Sequence, residues 1–390
     1  MRRPLFALVM LLCVALSWAT PSGALEVAKA PERHMEVVQV EGAIDPVVAD
    51  LIKGSLRRAQ TNGASVVILQ IDSTGALDTD SVDLVEAVLG SKVPVAAWIG
   101  PGKSSARGAA AAIVAAASFA AASPGARLGP VDPPRLDGRR SSAFLQEYPG
   151  TPPGVGPRAL TRLRALADHR FSGTKAAGAG LIDAVAPTLG DLIVALNGKE
   201  VPTAAGPVRL STAKQIDTKG GPRQTADQPV SFIKLGTFAS VQHSLTSPSV
   251  VFLLLIVGLS LMVFEFFTIG VGLAGMVGAM AVVGALFGCS HLPVNGWALG
   301  LLLLSTFGFA VDVQAGHQGF WTGVGVVGLL VGALKLFGGS SALDVPFWLV
   351  GLIFVGQIVF MLGGMTVAVR NRFSIPTVGR DSMIGELGEA

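Results

Sequence analysis

The sequence predicts two unlike halves, an exported α/β domain followed by an α-helical membrane domain of about five spans. Three observations carry this reading. Met1–Ala24 opens with Arg2-Arg3, runs apolar from about Leu5 to Trp18 and ends in small residues at Ser22-Gly23-Ala24, the three-part pattern of a secretory signal peptide. From Met35 to Asn197, short β-type runs alternate with helical patterns, the order that implies a mostly parallel sheet covered on both faces. From Val250 to Val369 the chain is apolar almost throughout. With 51% hydrophobic and only 14% charged residues, and a mean hydropathy of +0.59, part of this chain belongs in a bilayer.

Taken in order, Glu36–Val40 reads as a strand, Pro46–Asn62 as a helix, Ser65–Ile71 as a buried strand and Ser81–Leu89 as a helix. Val93–Ile99 is a further strand that breaks at Gly100-Pro101-Gly102. An alanine-dense helix follows from about Arg107, and the strand Ser118–Ala122 ends at Ser123-Pro124-Gly125. Pro130–Pro157, rich in Pro, Gly and Arg, reads as a long exposed loop. Arg158–Arg170 reads as an amphipathic helix, and Lys175–Ile182 with Asp183-Ala184-Val185 as a short helix and edge strand. Glu200–Gln228 is polar and lacks a sustained apolar period, which makes it a linker with one hairpin. Ser231–His243 has helical spacing that suits either a membrane-surface helix or an exposed linker helix.

Five apolar stretches have lengths suited to about 30 Å of hydrocarbon: Val250–Phe267, Ile269–Phe287, Trp297–Val313, Phe320–Phe337 and Phe347–Val369. Glycines at 270, 272, 275, 278, 284 and 288 give the second stretch a small-residue face for close helix contact. Glu265, Asp312 and Lys335 fall near span ends, where an interfacial role is expected. Arg370 and Arg372 follow the last span, which places the C-terminus inside and residues 25–249 outside. The domain boundaries read 1–24, 25–199, 200–248, 249–369 and 370–390.

Charge and cysteine usage narrow the partners. The net charge of +3 and pI near 9.0 arise from scattered Arg and Lys, and the single Tyr leaves no basic run interleaved with aromatics, so nucleic acid is not expected. Cys13 and Cys289 both lie in apolar segments, and His34, His169, His243, His291 and His317 are far apart, so neither a metal nor another cofactor is expected.

The chemistry centres on Val93–Pro130. A strand, an elbow and a helix start in this order hold a side chain at the top of a sheet beside backbone N–H groups, which is how a nucleophile site with an oxyanion hole is built. The order of parts resembles the long form of the NfeD family, membrane-bound relatives of ClpP-type serine peptidases. VEGAIDPVVADLIKGSLRRAQTNGASVVILQIDSTGAL is similar to the family's first half, and PVAAWIGPGKSSARGAAAAIVAAASFAAASPGARLGP to its catalytic elbow. GTKAAGAGLIDAVAPTLGDLIVALNGKEV is similar to its last strand and helix, and SPSVVFLLLIVGLSLMVFEF to the start of its membrane part. The resemblance implies an α/β, ClpP/crotonase-like exported domain. It also implies a C-terminal OB-type barrel, of which only a GRDSMIGELGEA start is present in this sequence.

Active members resemble Ser/Lys dyad peptidases, in which lysine takes the proton of an elbow serine and a Gly-Gly turn holds the oxyanion. Aligned back from Ser123-Pro124-Gly125, the nucleophile position falls on Gly108, which has no side chain to attack with. The lysine position falls near Gly154, and no lysine occurs between Lys103 and Lys175. The oxyanion turn reads Gly75-Ala76. Ser104 and Ser105, next to Lys103, are the hydroxyls near the elbow and make a relocated dyad the fallback, whereas Asp168 and His169 read as a solvated pair on a helix face. The expected function is a catalytically silent peptidase homologue in the cell membrane that binds a protein partner, with an active endopeptidase as the alternative. The resemblance implies a stomatin- or flotillin-like partner, and the alanine-rich helix suggests a homo-oligomer.

Overall fold

The β-type runs of the N-terminal half line up on one long strand, β2 (Val66–Ala76), whose first residues are buried on both faces and therefore sit centrally. The computed structural model describes residues 33–133, 135–137, 157–218, 221–268, 272–315 and 319–373. The signal-like segment, most of the long loop with the expected lysine position, and the stretch after Phe373 lie outside the described residues.

One edge of β2 carries β1 (Met35–Ile44) in parallel over its whole length. The other edge is shared. β3 (Val95–Ile99) pairs with Val67–Ile71, and β4 (Ser105–Ala106) then takes its place opposite Ser73. The sheet therefore forks at Asp72. One branch runs through β3 to β5 (Phe119–Ala122), and the other through β4 to β6 (Arg127–Leu128). Later segments close the two branches. β7 (Phe171–Ser172) joins β6 in antiparallel sense and β8 (Ala184–Val185) joins β5 in parallel.

Helices cover the sheet. α1 (Pro46–Asn62) starts where the Asp45 carboxylate accepts the Val48 N–H at 2.9 Å, and it ends at Gly63 with φ 70°. Val48, Ala49, Ile52, Leu56 and Ala59 form its buried stripe. α2 (Ser81–Leu89) is capped by Asp80. All eight residues of α3 (Ala109–Ala116) are buried, since small side chains let this helix sit tightly between the branches and α4 (Pro157–Ala165). It consequently offers no outward face, which removes the basis for self-association through this helix. α4 stops at Ala165 because the carbonyls of Leu166 and Ala167 accept from Val131 and Asp132 instead of continuing the helix. Asp168 and His169 thus lie in an exposed loop beyond the helix, contrary to the helical placement expected of them. α5 (Gly173–Gly178) and α6 (Leu189–Leu196), the latter opened by a Thr188/Asp191 capping box, complete the cover.

The stretch read as a linker holds more order than one hairpin. β9 (Glu200–Thr203) pairs with β10 (Gly206–Arg209) and β11 (Ala213–Thr218) with β12 (Gly221–Ala226). β13 (Val230–Ile233) then adds in parallel to the free edge of β1. That edge captures the first three residues, Ser231–Ile233, of the segment expected to be one helix, leaving α7 (Thr237–Leu245) as the helical part.

The apolar half forms α8 (Pro248–Phe267), α9 (Leu273–His291), α10 (Gly296–Ala315), α11 (Phe320–Lys335) and α12 (Phe347–Ile358). The last runs through a π turn at Val359–Gly364 into α13 (Met365–Phe373). Four candidate spans are long and apolar enough to cross a membrane, Phe347–Arg370 being the fourth. The remaining expected span, α11, has 16 residues, about 24 Å at 1.5 Å per residue. Gly258 and Gly278 bring α8 and α9 into backbone contact, as a Cβ on either would lie within 2.8 Å of the other's carbonyl oxygen. Glu265 and Asp312 act as caps. Glu265 accepts the Gly272 N–H at 2.8 Å, while Asp312 accepts from Gly319 N–H, Thr322 N–H and Thr322 Oγ1 at 2.7–2.8 Å. Lys335 is the last residue of α11.

Candidate functional site

The fork at Asp72 determines where the elbow lies. β3 ends at Ile99, the chain turns through Gly100–Lys103, and β4 lasts two residues before α3 begins. Gly108 occupies the hinge between β4 and α3 with φ 55° and ψ −130°, a sharp strand-to-helix turn of the kind that lifts a nucleophile above its sheet. Its N–H donates to the Pro130 carbonyl at 2.8 Å. Ala109, the first residue of the helix, has an N–H with no intrahelical carbonyl to reach. The strand-to-helix hinge expected at the elbow is therefore present, and the residue that occupies it has no side chain.

Neighbouring hydroxyls are differently employed. Ser104 is buried and its Oγ donates to the Pro101 carbonyl at 2.7 Å. Ser105 is half-buried, and its N–H donates to Asp72 Oδ1 at 2.9 Å. Lys103 is exposed. The backbone alternation of the short strand sends Ser104 and Ser105 to opposite faces. Gly75 and Ala76, expected in a turn, are instead the last residues of β2, held in register with Ala43 and Ile44 of β1 after an irregularity at Gly42. Gly75 has φ 140° and its N–H faces Ser73 Oγ at 3.4 Å, while the Ala76 side chain is fully buried and its carbonyl accepts from Leu136 at 2.8 Å. The extra methyl therefore points into the core.

The carboxyl ends of β1 and β2 meet the membrane helices. Asp45, immediately after β1, has a fully buried carboxylate that accepts from Thr246 Oγ1 at 2.9 Å and pairs with His243 Nδ1 at 2.8 Å. Burial pushes this carboxyl up. Hydrogen bonds from His243, the Val48 N–H and Thr246, with the charge of His243, outweigh burial and hold it below its ordinary range. His243 is raised in turn, first by its bond to Asp45, against burial, and then by the Asp45 charge and the carbonyl and charge of Glu41. Beyond β2, Asp78 pairs with His291 Nδ1 at 2.9 Å, and the Leu136 carbonyl accepts from Ser340 at 3.0 Å. Leu77 and Leu136 are buried in the same apolar cluster as Val251 and Leu292. Sequence reasoning missed these ties. The Asp45-Pro46 helix start is a visible signal, but His243 carries none of its own.

Comparison with known proteins bears on both halves. Residues 249–366 match the model of the NfeD integral membrane domain. The chain carries an NfeD integral membrane domain. A second similarity runs over 380 residues and includes the soluble half. The chain is 23% identical there to the membrane-bound protease PH1510 of Pyrococcus horikoshii, covering 90% of this chain and 81% of that protein. Among solved structures, a lysine-to-alanine mutant of the 1510-N membrane-bound stomatin-specific protease, in complex with a substrate peptide, matches with a TM-score of 0.45. It is 18% identical and spans 54% of this chain and 96% of its own. The 1510-N protease from Pyrococcus horikoshii, specific for a stomatin homolog, gives a TM-score of 0.43 at 19% identity, with 56% and 100% covered. The fold class read from the sequence, an α/β domain followed by an α-helical membrane domain, holds: the N-terminal half is a mostly parallel sheet covered by helices, and residues 249–366 match an integral membrane domain whose helices include four long and apolar enough to cross a bilayer.

Proposed function

We propose that the soluble half is a catalytically silent ClpP-like domain that binds an extended segment of a membrane protein. The observation that carries this reading is Gly108 at the elbow, where the backbone frame persists without a hydroxyl. Ser104, a buried hydroxyl four residues before it, is engaged with its own turn. Losing a nucleophile typically removes on the order of 10⁶ in rate, and an oxyanion site with binding alone leaves roughly 10³ to 10⁴ over water. A stomatin- or flotillin-type protein is the partner class, supported by the family resemblance and by the relative that is itself a membrane-bound protease. The domain lies outside the cell membrane, reached by a cleaved Met1–Ala24 signal, with Arg370 at the cytoplasmic face.

The full chain in detergent should leave a fluorophosphonate probe unreacted and peptide substrates uncut, and Ser104→Ala and Ser105→Ala should change neither. Labelling abolished by Ser104→Ala or by Ser105→Ala would establish the relocated dyad instead.

A further inference from the structure

Strand pairing gathers three arginines beside the elbow. Ser105 of β4 is opposite Arg127 of β6, and Arg127 is opposite Ser172 of β7. Paired residues share a face of a sheet, and so do residues two apart on one strand. Arg107 is two residues beyond Ser105 and Arg170 two residues before Ser172, which puts Arg107, Arg127 and Arg170 on one face of the upper branch. The opposite face is the core, where Ala106 and Leu128 are fully buried. The guanidinium groups feel one another, since Arg107 is lowered first by burial and then by the charges of Arg170 and Arg127. Among the described residues none of the three has an ion-pair partner, and Asp72, the acid beside β4, is used by the Ser105 N–H.

Arg107 directly precedes the glycine of the elbow and is half-buried, whereas Arg127 and Arg170 are exposed. Like charges held together repel one another, and an arriving anion relieves that repulsion. We propose that Arg107, Arg127 and Arg170 form an acid-reading subsite on the surface beside the elbow, so that the bound segment is an acidic peptide carrying Asp or Glu side chains. This rests on the peptide-binding reading above. A protein carboxylate is favoured over an anionic lipid headgroup because the cluster adjoins the elbow. The parts of the sheet that meet the membrane helices are the ends of β1 and β2, which lie two to four strands away from β6 and β7, about 10–19 Å at 4.8 Å per strand.

The test uses the full chain in zwitterionic nanodiscs and two peptides of about ten residues, one alternating valine with glutamate and the other valine with glutamine. The glutamate peptide should bind at least about tenfold more tightly at ~50 mM salt, and the preference should shrink several-fold at ~0.5 M, where screening is stronger. Arg107→Gln/Arg127→Gln/Arg170→Gln should bind both peptides alike at a melting temperature no lower than that of the unaltered chain. The exposed Arg170→Gln alone should lose part of the preference, which keeps the test independent of how the triple variant folds. Equal binding of both peptides by the unaltered chain overturns the acidic subsite and leaves peptide binding standing. Binding of neither peptide overturns both readings. Arginine-dependent attachment to anionic vesicles without any peptide preference assigns the cluster to lipid and overturns the proposal.

Discussion

The carboxylate of Asp45 caps α1 and also anchors α7, the helix that leads into the membrane part. Its signs can be worked out. Asp45 is held below its ordinary value, so its contribution is present above about pH 4 and fades as pH falls through the lowered native value. His243 is raised, so its contribution is full below about pH 6.5 and is lost as pH rises through the elevated native value. Both are whole between those limits. The melting temperature of the full chain in detergent should therefore decline from about pH 6 to pH 8.5, and His243→Gln should flatten that slope. Asp45→Ala removes a buried charge from its partners and should cost about 3 kcal/mol in a denaturation series. Half of this arrangement was legible, because Asp-Pro before an apolar-periodic run announces a capped helix. The histidine was not, since its partner lies 198 residues away and nothing local marks it.

Among the elements, the pair α8 and α9 depends on the absence of side chains. The glycine-rich face of the second span was legible in the sequence, and Gly278 does meet Gly258 closely, while Gly284 makes only ordinary contacts of 3.4–3.5 Å. Gly278→Leu would drive a branched side chain into the Gly258 carbonyl and should destabilise the pair by about 1–3 kcal/mol, read as earlier loss of helicity on heating in detergent. Gly284→Leu should have the smaller effect. Helices with continuous or strongly periodic apolar residues, such as α1, α2 and the long spans, were legible because their pattern is contained within the element. β13 was not. Its residues also suit a helix, and only the open edge of β1, far away in sequence, turns them into a strand. The glycine at the hinge was singled out by counting from Ser123-Pro124-Gly125, while the Gly75-Ala76 pair was misplaced because β2 continues past an extra residue at Thr74, and a Ser-Thr-Gly run that reads locally as a turn stays in the ladder only through β1.

At the scale of the whole molecule, orientation is the open quantity that one measurement decides. With α11 crossing as a fifth span beside the four long ones, Arg370 would lie opposite the soluble half, and a reporter fused after Arg372 should then be active only in its cytoplasmic form. Activity only in the exported form would mean that the 16-residue α11 does not cross. The contacts of Asp45, Asp78 and Leu136 with α7, α9 and the turn before α12 have a different consequence. They fix the standing height of the elbow over the hydrocarbon, as a bracket fixes a shelf. An extended chain climbs about 3.3 Å per residue. For a partner rooted in the same bilayer, the stretch that comes level with the elbow is therefore set by counting residues up from its own anchor, and the bilayer plane serves as the datum from which the count is made.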